Sequence, residues 1–568
     1  MNANHTTAAR DRAVVIGASM AGLLAARVLA DHFAEVVLVD RDRMPTAMEV
    51  RRGVPQGRHV HVLLGRGEEI LRELFGGIHE DFLAAGATTA LSNRQIRFVS
   101  EHGVLPRLDV GEPLLCASRP LIEHVVRQRV LALPPGRVRE ATDVTGVLTD
   151  DTGRVTGLRI FPHDAGAESW LPADLVVDAS GRSGRTTGWL EALGHGRGAL
   201  GHGRGALGHG RGALGHGRGA LGYGRPAEDV IHTRLAYVTR RYRLGGDVDG
   251  DRMILVAPRP ELPFGLAAAV VVEGGEWLVT LFGYGRWRPS ADPGEFLTQA
   301  ERVAPPELMA ALRAAPPASE VRTHQMPTSL RRRYEKLRRF PAGLLVFGDA
   351  ICSFNPIYGQ GMTVAAQESL VLADWLRDGR DDPRRFFREV AKVIQPAWDM
   401  VCGGDLSLPE VPGPRPPPVR VIGRYMRRLQ AAAVADERVA VPYMKVLAML
   451  ERPSALFRPA MVARCSGTGA PARRPRGVSP YRWPSPPAEP AWRGAGNGRR
   501  AGCSGSRPFV SCGAWPVGGA AMVLRGPPQV HLIPGPPPKV RGGLVRLRES
   551  FPGCLPEVKR SSRTLSPA

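Results

Sequence analysis

The pattern of apolar residues predicts alternating strands and helices at the start of the chain. Residues 12–17 (RAVVIG) form an apolar run typical of a buried parallel strand, 20–31 (MAGLLAARVLAD) have helical periodicity, and 35–40 (EVVLVD) predict a second strand. A strand, a helix and a strand in this order are typical of a βαβ unit. The chain therefore begins with the first unit of a Rossmann-like, mixed parallel sheet.

The rest of the chain changes from strand to helix patterns. After residue 222, apolar segments such as LAYVTRRYRL and EWLVTLFGY are separated by Gly, Pro and Asp turns, which predicts an antiparallel β domain. Another buried strand is predicted at 343–348 (GLLVFG), followed by a loop and a helix from about 362 to 376. Beyond 380 the pattern is helical and rich in arginine, with a break at the prolines of 412–418. The fold class predicted is α/β with a C-terminal helical segment.

Two segments have a composition of their own. Residues 194–221 are four copies of GHGRGAL, and three glycines in every seven residues do not support a helix. We interpret them as a flexible insertion rather than a metal-binding histidine tract. Residues 466–568 hold 18 of the 51 prolines and lack apolar periodicity, so we expect a disordered tail. A shift of reading frame in the gene would explain its composition.

These two segments also account for most of the charge. The formal net charge is +22, which would ordinarily suggest a nucleic-acid partner. The tail contributes 16 Lys or Arg against 3 Asp or Glu, and the repeat contributes four Arg and no acid, so the remaining chain carries only +5. We therefore expect no nucleic-acid partner.

The cysteines and the longest apolar run limit the remaining classes. None of the seven cysteines forms a CxxC pair, so we expect neither a metal site nor a disulfide framework. The longest apolar run, Phe264 to Val272, is about half of the roughly 20 residues that a membrane helix needs. No leader pattern precedes the first strand, and we expect a cytoplasmic protein without a transmembrane segment.

The first motif with chemical meaning lies between the first strand and the first helix. It reads Gly17-Ala-Ser-Met-Ala-Gly22, in which Gly17 permits a tight turn and Gly22 close packing of helix on strand. Ser19 stands where a middle glycine is usual. The helix N-terminus then presents free N–H groups to a pyrophosphate, and Asp40 at the end of the second strand can accept hydrogen bonds from ribose hydroxyls. These residues predict a dinucleotide site.

The second motif indicates which dinucleotide binds. Residues 348–362 read GDAICSFNPIYGQGM and connect the strand at 343–348 to the predicted helix. A carboxylate at the end of a strand, Asp349, can hold the hydroxyls of a ribityl chain. The stretch from Gly359 to Gly361 lets a helix N-terminus approach the edge of an electron-rich ring and stabilise negative charge there. Both features favour FAD over NAD.

The segment VFGDAICSFNPIYGQGM resembles the GD motif of the p-hydroxybenzoate-hydroxylase-like FAD monooxygenases, which include squalene-epoxidase-like and polyprenyl-phenol-hydroxylase-like enzymes. Residues 174–185 (DLVVDASGRSGR) and 118–125 (SRPLIEHV) are similar to two further motifs of this family. The resemblance spans residues 12–465 apart from the repeat. It implies a Rossmann-like FAD-binding domain and an antiparallel β substrate domain.

The resemblance also implies roles for particular residues. Asp349 would contact the ribityl chain, Gly359, Gly361 and Met362 the edge of the isoalloxazine, and Pro356 the vicinity of the reactive ring. Asp178 would end a strand near the pyrophosphate, and Arg119 would contact flavin or phosphate. With the first motif, the expected cofactor-binding residues are Gly17, Ser19, Gly22, Asp40, Arg119, Asp178, Asp349, Pro356, Gly359, Gly361 and Met362.

Two histidines are candidates for catalysis. His59 and His61 lie in the polar segment 51–61, which follows the second strand, and either could act as a base or hydrogen-bond a substrate. A structural or cofactor-positioning role is the alternative. The segment RRRYEK (331–336) and the arginine-rich 420s are expected to be solvated surfaces rather than binding patches.

The family mechanism implies an NAD(P)H-driven monooxygenase. NADPH or NADH would reduce the FAD, molecular oxygen would add to give a C4a-hydroperoxide, and one oxygen atom would pass to a small-molecule substrate. The sequence contains no second glycine fingerprint, so we do not expect a separate nicotinamide-binding domain. The alternatives are a flavin-dependent reductase of isoprenoid double bonds and a flavin protein inactivated by the repeat and the altered C-terminus. A flavin halogenase is disfavoured because its Trp-x-Trp-x-Ile-Pro segment is absent.

These patterns together predict an organisation into six segments. They are a first part of the FAD-binding domain (10–193), the repeat insertion (194–221), a mainly β substrate domain (222–335), a second part of the FAD-binding domain (336–380), a helical region (381–465) and the tail (466–568).

Overall fold

The computed structural model describes residues 10–91, 94–111, 113–194, 223–379 and 381–466. Apart from Gly194 and Ser466, the expectations for the repeat and the tail lie outside the described residues. In chain order the strands are β1 Arg10–Ile16, β2 Phe33–Val39, β3 Thr88–Ala90, β4 Ile96–Ser100, β5 Gly103–Val104, β6 Leu114–Cys116, β7 Gly136–Arg139, β8 Thr142–Thr149, β9 Val155–Pro162, β10 Ser169–Pro172, β11 Leu175–Asp178, β12 Glu228–Ile231, β13 Leu235–Arg243, β14 Met253–Val256, β15 Phe264–Val271, β16 Glu276–Tyr284, β17 Arg322–Met326, β18 Ser329–Arg332, β19 Leu344–Val346 and β20 Cys352–Ser353. The helices are α1 Met20–Leu29, α2 Gly65–Leu74, α3 Ile78–Ala84, α4 Arg119–Leu131, α5 Thr186–Gly194, α6 Pro293–Ala300, α7 Pro306–Ala314, α8 Gly361–Arg377, α9 Pro383–Ser407, α10 Pro417–Ala435, α11 Glu437–Leu447 and α12 Pro459–Ser466.

A five-stranded parallel sheet forms the centre of the α/β part, with the strand order β19-β11-β1-β2-β7. Its middle strand is apolar throughout Ala13–Val15 because both of its faces are buried. Strands β2 and β11 flank β1 on opposite sides. A crevice forms at the carboxyl ends of parallel strands where the strand order diverges in this way, and that is where ligands of such sheets bind.

A seven-stranded sheet forms the second part, with the order β17-β13-β16-β15-β14-β4-β5. Its strand pairs are antiparallel except β4 with β14. Helices α6 and α7 contribute Phe296 and Leu308 to the core that contains Trp277 of β16. Since β4 and β5 come from the first 193 residues, this sheet draws on two of the segments expected to be separate, and the domain boundaries stay a prediction.

The arginines at 331–333 are buried, so the expectation of a solvated surface is wrong for them. Arg331 and Arg332 belong to β18, which pairs with β12 and β20, and Arg333 follows directly after it. Arg332 Nη1 donates to the carbonyl of Ala350 at 2.9 Å, and Arg331 Nη1 donates to Gln395 of α9 at 2.7 Å. Buried guanidinium groups of this kind are satisfied by carbonyl and side-chain oxygens, and here they tie the segment after β19 to its neighbours.

The C-terminal helical region has a small core of its own. Leu429, Ala440 and Leu456 of this region cluster with Leu105 and Leu108 from the first part of the chain. Helix α9 ends at Ser407 and α10 begins at Pro417, so the proline run separates two helices as the pattern predicted. Among the described residues, no helix is both long and apolar enough to cross a membrane.

Candidate functional site

The turn between β1 and α1 brings backbone close to backbone. Gly17 has a φ of 97°, and a Cβ at this position would lie 2.7 Å from the carbonyl oxygen of Ala179, which follows β11. A Cβ at Gly22 would lie 1.8 Å from the carbonyl oxygen of Gly17. Only glycine fits both positions, and the result is a helix N-terminus that opens onto the crevice of the parallel sheet.

A cavity of about 820 Å³ begins at this turn. Nine of the eleven predicted cofactor-binding residues line it, namely Gly17, Ser19, Asp40, Arg119, Asp349, Pro356, Gly359, Gly361 and Met362. The predicted catalytic candidate His61 lines it as well. The structure thus brings together residues of three motifs that are up to 345 positions apart in the sequence.

Two predicted residues, Gly22 and Asp178, are not in the wall of the cavity. Gly22 lies within α1, where its missing side chain allows the close helix packing described above. The fully buried carboxylate of Asp178 accepts hydrogen bonds from the hydroxyls of Ser180 and Thr186, and from the backbone N–H of Ser180 at 3.0 Å. Asp178 therefore fixes the loop after β11, and Ser180 of that loop lines the cavity.

A buried ion-pair network surrounds Arg51, which the sequence reasoning did not single out. Its guanidinium lies 3.1 Å from Asp40, 3.6 Å from Asp42 and 3.8 Å from Glu123, and it donates to the carbonyl of Ala18 at 3.1 Å. The Arg51 side chain is only 3% exposed. This residue connects the segment after β2, the β1–α1 turn and α4, and its charge lies close to three carboxylates, of which Asp40 lines the cavity.

Glu123 is the second residue that the sequence reasoning missed. Its Oε1 accepts from the Ser19 hydroxyl, from Arg119 Nη2 at 2.8 Å and from the backbone N–H of Met20 at 3.3 Å. Burial alone would raise the pKa of Glu123, but the neighbouring Arg119 and Arg51 lower it overall. A carboxylate thus lies at the N-terminus of α1, where the positive end of the helix dipole favours negative charge. The spacing of Arg119 and Glu123, four residues on one helix, is a signal from which the pair could have been found.

Several polar atoms of the cavity have unused hydrogen-bonding capacity. No described residue donates a hydrogen bond to the Asp349 carboxylate, whose pKa is raised by burial despite the nearby Arg119 and Arg182. The buried Oε1 of Gln360, a cavity residue, also has no partner among the described residues. Together with the glycine turn, these groups fit a dinucleotide with a hydroxylated chain and a ring that carries N–H groups.

The loop between β20 and α8 forms one end of the cavity. Asn355 lies near its start, and the side-chain oxygen of Asn355 accepts from the backbone N–H of Ile357 at 3.1 Å. Gly359 has a φ of 67°, and Gly361 is the first residue of α8. The free N–H groups at the start of this 17-residue helix lie beside the cavity, where they can stabilise negative charge.

Glu368 of α8 holds the backbone at Gly348, where the segment 348–362 begins. Its Oε2 accepts from the backbone N–H of Gly348 at 2.7 Å, and burial raises the pKa of Glu368 to about 8. Because this pKa lies above the ordinary value in the unfolded chain, the contribution of Glu368 to stability is present at low pH and is lost as the pH rises to about 8. We expect Glu368→Gln, which keeps an acceptor for Gly348, to flatten this loss.

The expected result is that wild type and Glu368→Gln differ little at pH 5, whereas at pH 9 the variant is more stable by a few kcal/mol, since each unit of pKa shift corresponds to about 1.4 kcal/mol. Urea unfolding at the two pH values measures the difference. Glu261→Gln, at an exposed position, is the matched control and should show no such change. Parallel pH profiles for wild type and Glu368→Gln would contradict the expectation.

Aromatic and imidazole side chains form the other wall of the cavity. Tyr237 of β13, His324 of β17 and His61 line it. The ring centroids of Tyr237 and His324 lie 5.2 Å apart. His59 lies behind this wall, with its Nδ1 2.7 Å from the hydroxyl of Thr239. Burial lowers the pKa of His59 to about 3 and that of His61 to about 4, so both imidazoles are neutral at neutral pH. The positions of Tyr237 and His324 carry no local sequence signal.

Known proteins resemble this chain in sequence and in fold. Residues 11–198 match the family model of an FAD binding domain. Protein Rv3254 of Mycobacterium tuberculosis is 31% identical over 465 residues, which cover 78% of this chain and 90% of that protein. Among solved structures, a flavoprotein/dehydrogenase from Cytophaga hutchinsonii aligns with a TM-score of 0.52 at 15% identity, over 77% of this chain and 92% of that one. The flavin-dependent brominase Bmp2 aligns with a TM-score of 0.50 at 17% identity, over 76% of this chain and 92% of that one.

The sequence match and the fold agree with the geometry of the site. A glycine turn at a helix N-terminus, a free carboxylate after β19 and a second helix start share one cavity, as the resemblance in the sequence implied. The protein is an FAD-dependent oxidoreductase, and the chain belongs to the p-hydroxybenzoate-hydroxylase-like family of FAD-dependent monooxygenases.

Proposed function

We propose that this protein is an NAD(P)H-driven monooxygenase that hydroxylates or epoxidises a small organic substrate. The observation that carries the proposal is the continuity of the cavity, which is lined at one end by the α1 turn and at the other by the seven-stranded sheet. A cofactor and a substrate can therefore meet in one continuous cavity. Because NAD(P)H is available in the cytoplasm, we propose that the enzyme works there.

In this proposal the described residues hold FAD along the cavity. The N-terminus of α1 and Arg119 bind the pyrophosphate, Asp40 the adenosine ribose and Asp349 the ribityl chain. Residues 356–362 face the isoalloxazine. When bound, FAD supplies the transfer of electrons from NAD(P)H and the activation of oxygen. The N-terminus of α8 stabilises negative charge on the ring.

The sheet wall orients the substrate. Tyr237, His61 and His324 offer hydrogen bonds from rings that carry no charge near neutral pH, since burial lowers the pKa of both histidines. A neutral imidazole can also take a proton from a substrate hydroxyl. Phe354, which lines the same cavity, limits the access of water to the reacting groups. His61 is the better placed of the two histidines predicted from the sequence, because His59 does not reach the cavity.

The experiment that tests the proposal is the simultaneous measurement of NAD(P)H and oxygen consumption with a panel of phenolic and isoprenoid compounds. We expect purified, flavin-loaded protein to consume both in step and to give an oxygenated product with at least one compound. Oxidation of NAD(P)H with saturation of a double bond and no oxygen uptake would instead support the reductase alternative. A bound flavin that NAD(P)H does not reduce would support the inactive flavin protein.

The same assay tests the role of His324, which lies in the cavity wall formed by the seven-stranded sheet. We expect His324→Ala to raise KM or lower kcat by about tenfold or more, because a positioning contact at the reacting end is lost. His232→Ala, on a residue that does not line the cavity, is the control. An unchanged kcat/KM in His324→Ala would show that His324 does not contribute to substrate binding or catalysis.

A further inference from the structure

A buried carboxylate from the C-terminal helical region reaches the cofactor loop. Asp405 of α9 is 0% exposed, and its Oδ1 accepts three hydrogen bonds. The donors are Asn355 Nδ2 at 2.8 Å, the Tyr284 hydroxyl at 2.9 Å and the Tyr358 hydroxyl at 3.1 Å. One oxygen atom thus joins three parts of the molecule, which are α9, the end of β16 and the loop before α8.

The two loop donors determine the shape of this loop. Asn355 binds Asp405 through its amide nitrogen and the Ile357 N–H through its amide oxygen, so its side chain is fixed at both ends. Tyr358 directly precedes Gly359, whose positive φ turns the chain toward α8. The hydrogen bonds to Asp405 therefore act on both sides of the turn that precedes the cavity-lining residues 359–362.

The neighbouring residue on α9 is adapted to the same contact. A Cβ at Gly404 would lie 2.2 Å from the Tyr358 hydroxyl, so any side chain there would displace this ring. Asp405 keeps its other oxygen, Oδ2, without a partner among the described residues. Burial raises the pKa of Asp405 to about 7, and the hydrogen bonds from Tyr284, Asn355 and Tyr358 offset only part of this rise.

We propose that Asp405 is a positioning residue that holds the loop Asn355–Gly361 in the conformation that receives the isoalloxazine end of FAD. The C-terminal helical region is then part of the cofactor site rather than an appendage. This inference rests on the proposed placement of the flavin ring beside the loop. It does not depend on whether the reaction is oxygenation or reduction.

The test compares FAD binding by the full-length wild type, Asp405→Ala, Asp405→Asn and Tyr358→Phe. We expect Asp405→Ala to raise the Kd for FAD about 10- to 100-fold, in the range of lost hydrogen bonds to a charged group. It should also shift the visible absorption bands of the bound flavin, because the ring environment changes. Asp405→Asn keeps an acceptor and should recover part of the affinity. Tyr358→Phe, which removes one donor without creating a large void, should raise the Kd by a smaller factor.

Asp399→Ala is the control, since Asp399 lies on the same helix and its carboxylate accepts from Gln395 rather than from the loop. The control should leave the FAD Kd and spectrum unchanged. If Asp405→Ala folds and its Kd and spectrum match those of wild type, the proposal is overturned. If Asp405→Ala does not fold, Tyr358→Phe decides in the same way. A wild type that binds no FAD would contradict the proposed function itself, which is a different outcome.

Discussion

Gly22→Ala should destabilise the protein by about 3 kcal/mol or more and weaken FAD binding at least about tenfold. The added Cβ would lie 1.8 Å from the backbone carbonyl oxygen of Gly17, and a backbone atom cannot move aside as the end of a side chain can. Either α1 moves away from β1 or the turn at Gly17 opens. In both cases the N–H groups at the start of α1 leave the position that we propose for binding of the pyrophosphate.

The matched control is Gly423→Ala in α10. Gly423 is also a helical glycine, but a Cβ there would meet no atom within 4 Å. Alanine is the better helix former by about 1 kcal/mol, so this variant should be slightly more stable than wild type. Thermal or urea unfolding of the FAD-free proteins and fluorescence titration with FAD measure both effects. Equal stability changes in the two variants would show that the close approach of the Gly17 carbonyl does not require glycine at position 22.

Arg51→Met should cost about 3–5 kcal/mol of stability, because it leaves buried carboxylates without their counter-charge. Asp40, Asp42 and Glu123 all lie within 4 Å of the Arg51 guanidinium. Methionine fills a similar volume, so the loss reports the charge rather than a cavity. The binding of FAD should weaken as well, since Asp40 and the α1 turn lose the group that joins them.

The pH dependence distinguishes this electrostatic effect from a packing defect. The pKa of Glu123 is held below its ordinary value by Arg119 and Arg51, so its contribution to stability is present near neutral pH and is lost on acidification. Removal of Arg51 takes away part of that contribution. The stability gap between wild type and Arg51→Met should therefore narrow from pH 7 to pH 4. Arg52→Met, at an exposed neighbour, should change stability by no more than about 0.5 kcal/mol at either pH. A gap that stays constant with pH would point to packing.

The structure differs most from the expectation based on sequence in the burial of charged residues. The segment 331–333 has the composition of a solvated surface, yet its arginines are buried beneath α9 and bind oxygens of Ala350 and Gln395. Composition alone cannot distinguish these cases, because an arginine is solvated or buried according to whether a remote carbonyl or amide meets it.

The candidate site was predictable wherever its chemistry lies within a few consecutive residues. The glycines of the β1–α1 turn, the acid at the end of β2 and the start of α8 are encoded locally, since backbone conformation and helix ends depend on neighbouring residues. The resemblance of the segment 348–362 then added FAD. Sequence patterns and this resemblance therefore predicted the fold class, FAD as the cofactor, and the parts of the cavity wall formed by the glycine turn and by the loop before α8.

The remote side chains that complete the site are brought together by strand pairing and helix packing. Asp405 lies 50 positions from Asn355 and 121 from Tyr284, and Arg51 meets Glu123 from another element of the fold. Tyr237 and His324 come together because β13 pairs with β17. No local propensity encodes such meetings, because they depend on strand pairing and helix packing across the whole chain. A buried polar group is stable only when it is hydrogen-bonded, and partners that are remote in the sequence come within hydrogen-bonding distance only in the folded chain.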